Sequence, residues 1–207
     1  NAGTIATNVV NSGSLVSTGL IDGSLSNSGT AILAGQLNGN IGNNGSVTLA
    51  GTTTGIAALT QTAGATFDLA GFSATLASLS GAGTVQTGNN DAAVLTVGDA
   101  TSTQFAGTIM GSGRLMKAGT GTLTLTGANS YSGGTLISDG TLQLGNGGTS
   151  GAIGGAVVND GTLVINRSDN IVFDNALSGS GRFVQAGTGT TTLSGVNSLT
   201  GGFEVMG

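Results

Sequence analysis

Gly111-Ser-Gly-Arg-Leu-Met-Lys-Ala-Gly-Thr-Gly-Thr-Leu-Thr-Leu-Thr-Gly-Ala-Asn-Ser-Tyr-Ser-Gly-Gly134 decides the fold, and it runs on to Asp139-Gly140-Thr141-Leu142-Gln143-Leu144-Gly145. A second copy starts at Gly179, 68 residues later, and 16 of the 24 positions of Gly111–Gly134 recur in Gly179–Gly202. Self-similarity of this kind marks a repeat architecture. Inside the copy, Thr122–Thr126 alternates strictly, with Leu123 and Leu125 on one side and threonines on the other. That is the period of a half-buried strand, and Thr141–Leu144 repeats it with Leu142 and Leu144. Glycines bracket each strand (Gly111, Gly113, Gly119, Gly121, Gly127, Gly133, Gly134 and Gly140), where the backbone must turn and positive φ is cheap only for glycine. The second copy carries Gly179, Gly181, Gly187, Gly189, Leu193 and Gly195 in the corresponding places, and Asn197 where the first has Asn129. A short strand, a tight corner and another short strand make one coil of a β-solenoid.

Toward the N-terminus the same grammar persists in worn form. Asn11-Ser-Gly13, Asn27-Ser-Gly29, Asn44-Gly45 and Ala63-Gly64 each lead into an alternating run. Intervals between marker glycines are 16, 16 and 19 residues there, and 19 and 21 between Gly121, Gly140 and Gly161. Spacings near 20 suit a three-sided coil and exceed the six-residue turns of a hexapeptide helix. The chain is read as one domain, 1–207, of about ten coils and about 50 Å of stacked strands. Residues 1–104 are degenerate coils and 105–207 carry the repeat twice. Corner asparagines invite a second expectation, amide ladders running along the axis, the alternative being that they are there only because asparagine tolerates left-handed backbone angles.

Composition agrees. Glycine supplies 41 of 207 residues without the Gly-X-Y period of collagen, and the mean hydropathy of +0.30 is opposite to a disordered signature. Proline is absent, as suits stacked strands in which nearly every N–H donates. Net charge is −5 with no basic patch, so nucleic acid is a poor partner. The sequence has no run of 18 apolar residues.

The stretch Gly119-Thr-Gly121-Thr-Leu-Thr-Leu-Thr-Gly127, followed by Asn129-Ser-Tyr131-Ser-Gly133-Gly134-Thr135 and Gly140-Thr-Leu142-Gln-Leu144, resembles the passenger-associated repeat of bacterial autotransporters. Phe105-Ala-Gly107-Thr-Ile109 resembles its lead-in. The likeness is close over 105–145 and 173–207 and only compositional over 1–100. The second copy departs at Gln185 for Lys117, Thr191 for Leu123, Leu199 for Tyr131 and Phe203 for Thr135. The resemblance implies a right-handed parallel β-helix displayed outside a Gram-negative cell. It further implies a signal peptide before this segment, an outer-membrane β-barrel after it, and a repeat that helps the passenger fold during export.

Chemistry is sparse. There is no histidine and no cysteine, which removes the commonest bases, ligands and nucleophiles. Paired carboxylates run glycoside chemistry on β-helices, and Asp139, Asp160, Asp169 and Asp174 are the candidates for it, without a tight motif. Asp169-Asn170 and Asp174-Asn175 offer oxygen ligands for calcium, but the Gly-Gly-x-Gly-x-Asp repeat of calcium rolls is missing. Threonine arrays that bind ice need Thr-x-Thr on coil after coil, and only Thr122–Thr126 is clean. Arg114 and Arg182, in equivalent places, with Lys117 beside the first, form a candidate positive stripe for a partner. Tyr131, the only tyrosine, is a candidate anchor. The expectation is a non-enzymatic surface scaffold without cofactor or metal. Its expected partners are a host glycan or protein, further copies of itself, and its own membrane barrel. The alternatives are a polysaccharide-active enzyme and a pure spacer.

Overall fold

The computed structural model describes residues 1–206; Gly207, the last residue of the expected domain, lies outside them. Among the described residues there are 25 short strands and no helix, hence none long and apolar enough to cross a membrane. Strand pairing is parallel throughout, and the strands stack into a β-solenoid of about ten turns. Alternation is what shapes it. Thr122–Leu125, Thr141–Leu144 and Thr162–Ile165 each turn two aliphatic side chains inward and two polar or small ones outward, and they stack residue on residue.

The coil has three faces. A first face contains Val94–Val97, Arg114–Lys117, Thr135–Ile137, Val157–Asn159, Leu177–Gly179 and Asn197–Leu199. A second face starts with Val9–Asn11, Leu25–Asn27 and Ile41–Asn43 and ends with Thr162–Ile165, Arg182–Gln185 and Phe203–Val205. The third holds Ser14–Ser17, Thr30–Leu33, Ser46–Leu49, Thr66–Asp68, Thr84–Gln86 and Thr108–Met110. It is interrupted at the single bridge between Ala128 and Ala152, then resumes with Ile171–Phe173 and Thr191–Leu193. One apolar core fills the centre from Ile21 to Phe183.

Coil length changes along the axis. Asn11, Asn27 and Asn43 stack at 16-residue spacing, whereas Asp160 and Ser180 meet across 20. The short coils have a corner closed by side-chain amides. Asn11 Nδ2 donates to Asn27 Oδ1 at 2.7 Å, Asn27 Nδ2 to Asn43 Oδ1 at 2.9 Å, and Asn43 Nδ2 to Gln61 Oε1 at 3.0 Å. Each amide also donates to a carbonyl of the coil above: Thr30, Ser46, Thr66 and Thr84 in turn. The ladder anticipated from the corner asparagines is therefore present, buried and satisfied.

The corner glycines are required mainly by axial crowding. A Cβ on Gly29 would overlap the carbonyl oxygen of Gly13, and one on Gly45 that of Gly29. The fourth marker departs from this: Gly64 has open space around it and φ +85°, while Ala65 stands beneath Gly83 in the row. There the demand is conformational.

Candidate functional site

The two copies of the repeat were expected to present equivalent residues in line. They do not. Arg114–Lys117 lies on the first face, but its counterpart Arg182–Gln185 lies on the second. Thr122–Leu125 is on the second face, and Thr191–Leu193 on the third. A spacing of 68 residues is three 20-residue coils and one side more, so the second copy is turned by a third of a coil. Local backbone is nonetheless preserved at the two ends of the copy, where Gly111 and Gly179 both have φ +111° and Gly134 and Gly202 have φ +84° and +97°, though the left-handed Gly119 (φ +64°) has no left-handed counterpart at Gly187. Asn129 and Asn197 both donate from Nδ2 to the carbonyl two residues back. The repeated unit is thus a strand with its corner, and it works on any face.

This geometry corrects the candidate partner contacts. Arg114 and Arg182 are exposed but sit on different faces, so they form no common stripe; Arg182 pairs with Glu204 at 2.7 Å. Lys117 is only 1% exposed. Its Nζ donates to Ala118 O at 2.6 Å, Gly119 O at 2.7 Å and Asp139 O at 3.3 Å. Burial lowers its pKa, opposed by the nearby charges of Asp139 and Asp99. Gln185, which replaces it in the second copy, donates likewise to Gly187 O and Gly189 O. Both side chains plug a Gly-Thr-Gly corner, which the sequence alone did not reveal because lysine reads as a surface residue. Tyr131 is fully buried in the core with its hydroxyl 2.6 Å from Thr135 Oγ1. Burial raises its pKa. Its side chain is therefore not on the surface where a partner anchor was expected.

Asn129 has a role of its own at the interruption of the third face. Its Oδ1 accepts from Ile109 N at 2.8 Å, and its Nδ2 donates to Ala152 O at 2.8 Å. The amide stands in for a missing backbone rung.

Three of the four candidate aspartates are engaged one by one. Asp160 accepts from the backbone and hydroxyl of Ser180, which lowers its pKa. Asp169 forms a bidentate pair with Arg167, and that pair lowers its pKa. The same guanidinium holds Thr149 O and Gly151 O, so Arg167 fastens the loop before it. Asp139 accepts from Gly140 N. Asn170 accepts from Thr190 N, and Asn175 donates to Gly155 O. Among the described residues no three His, Cys, Asp or Glu side chains converge where they could hold a metal ion. Asp174 lines a cavity of about 220 Å³ with Arg167, Phe173 and Ile153.

Residues 115–144 and 183–207 match the family model of the passenger-associated-transport-repeat. No curated protein and no solved structure matches the chain. Repeats of this family imply a surface-exposed or extracellular protein of a Gram-negative bacterium. With two of them wound into a parallel β-solenoid, the chain carries the repeat and the fold of an autotransporter passenger domain.

Proposed function

We propose that this passenger segment is a non-enzymatic scaffold that adheres by multivalent weak contact, self-association between rods being its specific form, and that its repeats assist folding during export. The observation that carries the reading is the nearly uncharged outside of the first coils, where Asp22 is the one charged side chain before Asp68. On the second face the outward row is Val10, Ser26, Gly42, Thr60 and Ser80. On the third, Ser14, Thr30, Ser46, Thr66, Thr84 and Thr108 stack without a break. Nothing in these rows repels a second copy, and solubility by net charge is weakest there. A host glycan or protein is the alternative occupant, and a C-terminal membrane barrel is the proposed anchor.

The folding role rests on the parallel ladder. Each coil takes its hydrogen bonds from its neighbours, so a finished coil templates the next, and an unfinished end is a sticky strand edge. Asp at both Leu123 and Leu125 in the full-length protein should lower surface display; undiminished display would refute this part. Sedimentation velocity tests self-association: a monomer at high concentration removes it.

A further inference from the structure

The outside of the first face in the repeat region differs from the hydroxyl-rich surface elsewhere. Register sets two outward rows side by side. One holds Met116, Leu136 and Val158. The other runs from Arg114 past Gly134 to Ala156, Ala176 and Val196, as the rungs Leu115 N to Gly134 O, Thr135 N to Ala156 O, Val157 N to Ala176 O and Leu177 N to Val196 O require. Val158 is 42% exposed and Val196 80%. Between the rows lies a groove of about 360 Å³ bordered by Arg114, Leu136, Ala156 and Val158. Gly134 and the two alanines keep its floor low. Neither row contains a carboxylate.

Charge is unbalanced at one end of this trough. Arg167 is paired with Asp169 and Arg182 with Glu204, and Lys117 is sealed inside. Among the described residues Arg114 is the side-chain cation left exposed without a carboxylate within salt-bridge reach. A planar guanidinium suits a carboxylate bidentately. From Arg114 to Val196 the row climbs four coils, or about 19 Å at the spacing of stacked strands. An uncovered cation followed by an open aliphatic strip of that length asks for an anionic head on a long apolar tail.

We propose that this trough binds a long-chain fatty acid. Its carboxylate sits on Arg114, and its tail runs along the axis over Gly134, Ala156 and Ala176 toward Val196, with Met116, Leu136 and Val158 as the wall. Each methylene withdrawn from water adds affinity, about twofold for a trough open on one side. This inference does not rest on adhesion or surface display, since it concerns the purified protein.

Isothermal titration with palmitate, laurate and cetyltrimethylammonium tests it. Saturable one-to-one binding is expected for palmitate, weaker binding for laurate, and none for the cation of the same tail. Arg114→Ala should weaken palmitate at least about tenfold, as loss of a charge-assisted contact does. Ala156→Glu should abolish binding, and Arg182→Ala should leave it unchanged. All three altered positions are exposed, and circular dichroism verifies that the fold is intact. Equal binding of the cationic amphiphile, an Arg114→Ala variant as good as the parent, or absence of saturable palmitate binding overturns the assignment.

Discussion

The first four coils and the coils of the repeats stack the same parallel strands, yet one row passing through both changes its chemistry on the way. At the end of the second face it reads Asn11, Asn27, Asn43 and Gln61, then Gly81, then Phe105, Leu125, Leu144 and Ile165. Amides hold the row over the first coils and hydrocarbon holds it from Phe105 to Ile165, after which a lone amide, Gln185, stands between Ile165 and Val205. An amide in this position needs a donor for its carbonyl, either from a neighbouring amide, as in the ladder, or from a local group, as Thr191 Oγ1 supplies to Gln185 Oε1. Asn159 illustrates the converse. It donates to Arg182 O as the ladder residues do to theirs, but Ile137 lies beneath it, and its buried Oδ1 has no partner. An amide in the stack is sound only where each of its polar atoms finds a partner, as at Gln185 and not at Asn159, whereas the aliphatic row makes no such demand.

That contrast can be broken or sharpened in five ways. Leu123→Asp puts a bare carboxylate into the hydrocarbon row and should cost more than about 4 kcal/mol, abolishing a cooperative melt monitored by circular dichroism. Asn27→Leu, harmless by volume, takes one partner each from the Nδ2 of Asn11, the Oδ1 of Asn43 and the carbonyl of Ser46, so about 3 kcal/mol should be lost in urea titration. A loss below about 1 kcal/mol would mean that the ladder is ornamental.

Gly29→Ala should cost about 2 kcal/mol through collision with Gly13 O, and Gly64→Ala, which meets open space, only about 1 kcal/mol from its left-handed φ. Equal costs would remove the distinction between crowded and conformational glycines. Ile137→Asn gives Asn159 its missing donor and should be at least about 1 kcal/mol milder than Leu144→Asn, which has no amide above or below. Equal losses would show that one rung cannot seed a ladder.

The smallest effect is alkaline. The folded Lys117 pKa lies below the ordinary value of 10.5, so the unfolded chain binds more protons between those two values, and stability rises with pH across that window. Lys117→Gln, which copies Gln185, should flatten the rise in urea midpoints measured up to about pH 9.5, below the range where ionisation of Tyr131 in the unfolded chain turns the slope the other way. A parent whose midpoint falls with pH there would reverse the sign.

Much of the fold was legible because alternation, glycine corners and the two copies all point to the same stacked strand. The amide ladder was legible from Asn11 and Asn27 at corner positions. What the sequence hid was direction. Lys117 and Tyr131 look like surface residues by type, but a corner with free carbonyls takes an ammonium, and a core gap beside Thr135 takes a phenol. Likewise, Arg114 and Arg182 align in sequence but not in space, since alignment counts residues and the coil counts sides. The outward trough was missed for the same reason: Met116, Leu136 and Val158 become neighbours only through register.

The third-of-a-coil offset between the copies has a genetic consequence. If strand and corner form the unit, a duplication need not span a whole coil to be accepted; any whole number of sides keeps the ladder intact. Each such event leaves the interior alike and carries its outward side chains around to the next face. A lineage of these solenoids can therefore redistribute its surface chemistry about the axis simply by growing, with no change to the residues that hold it together.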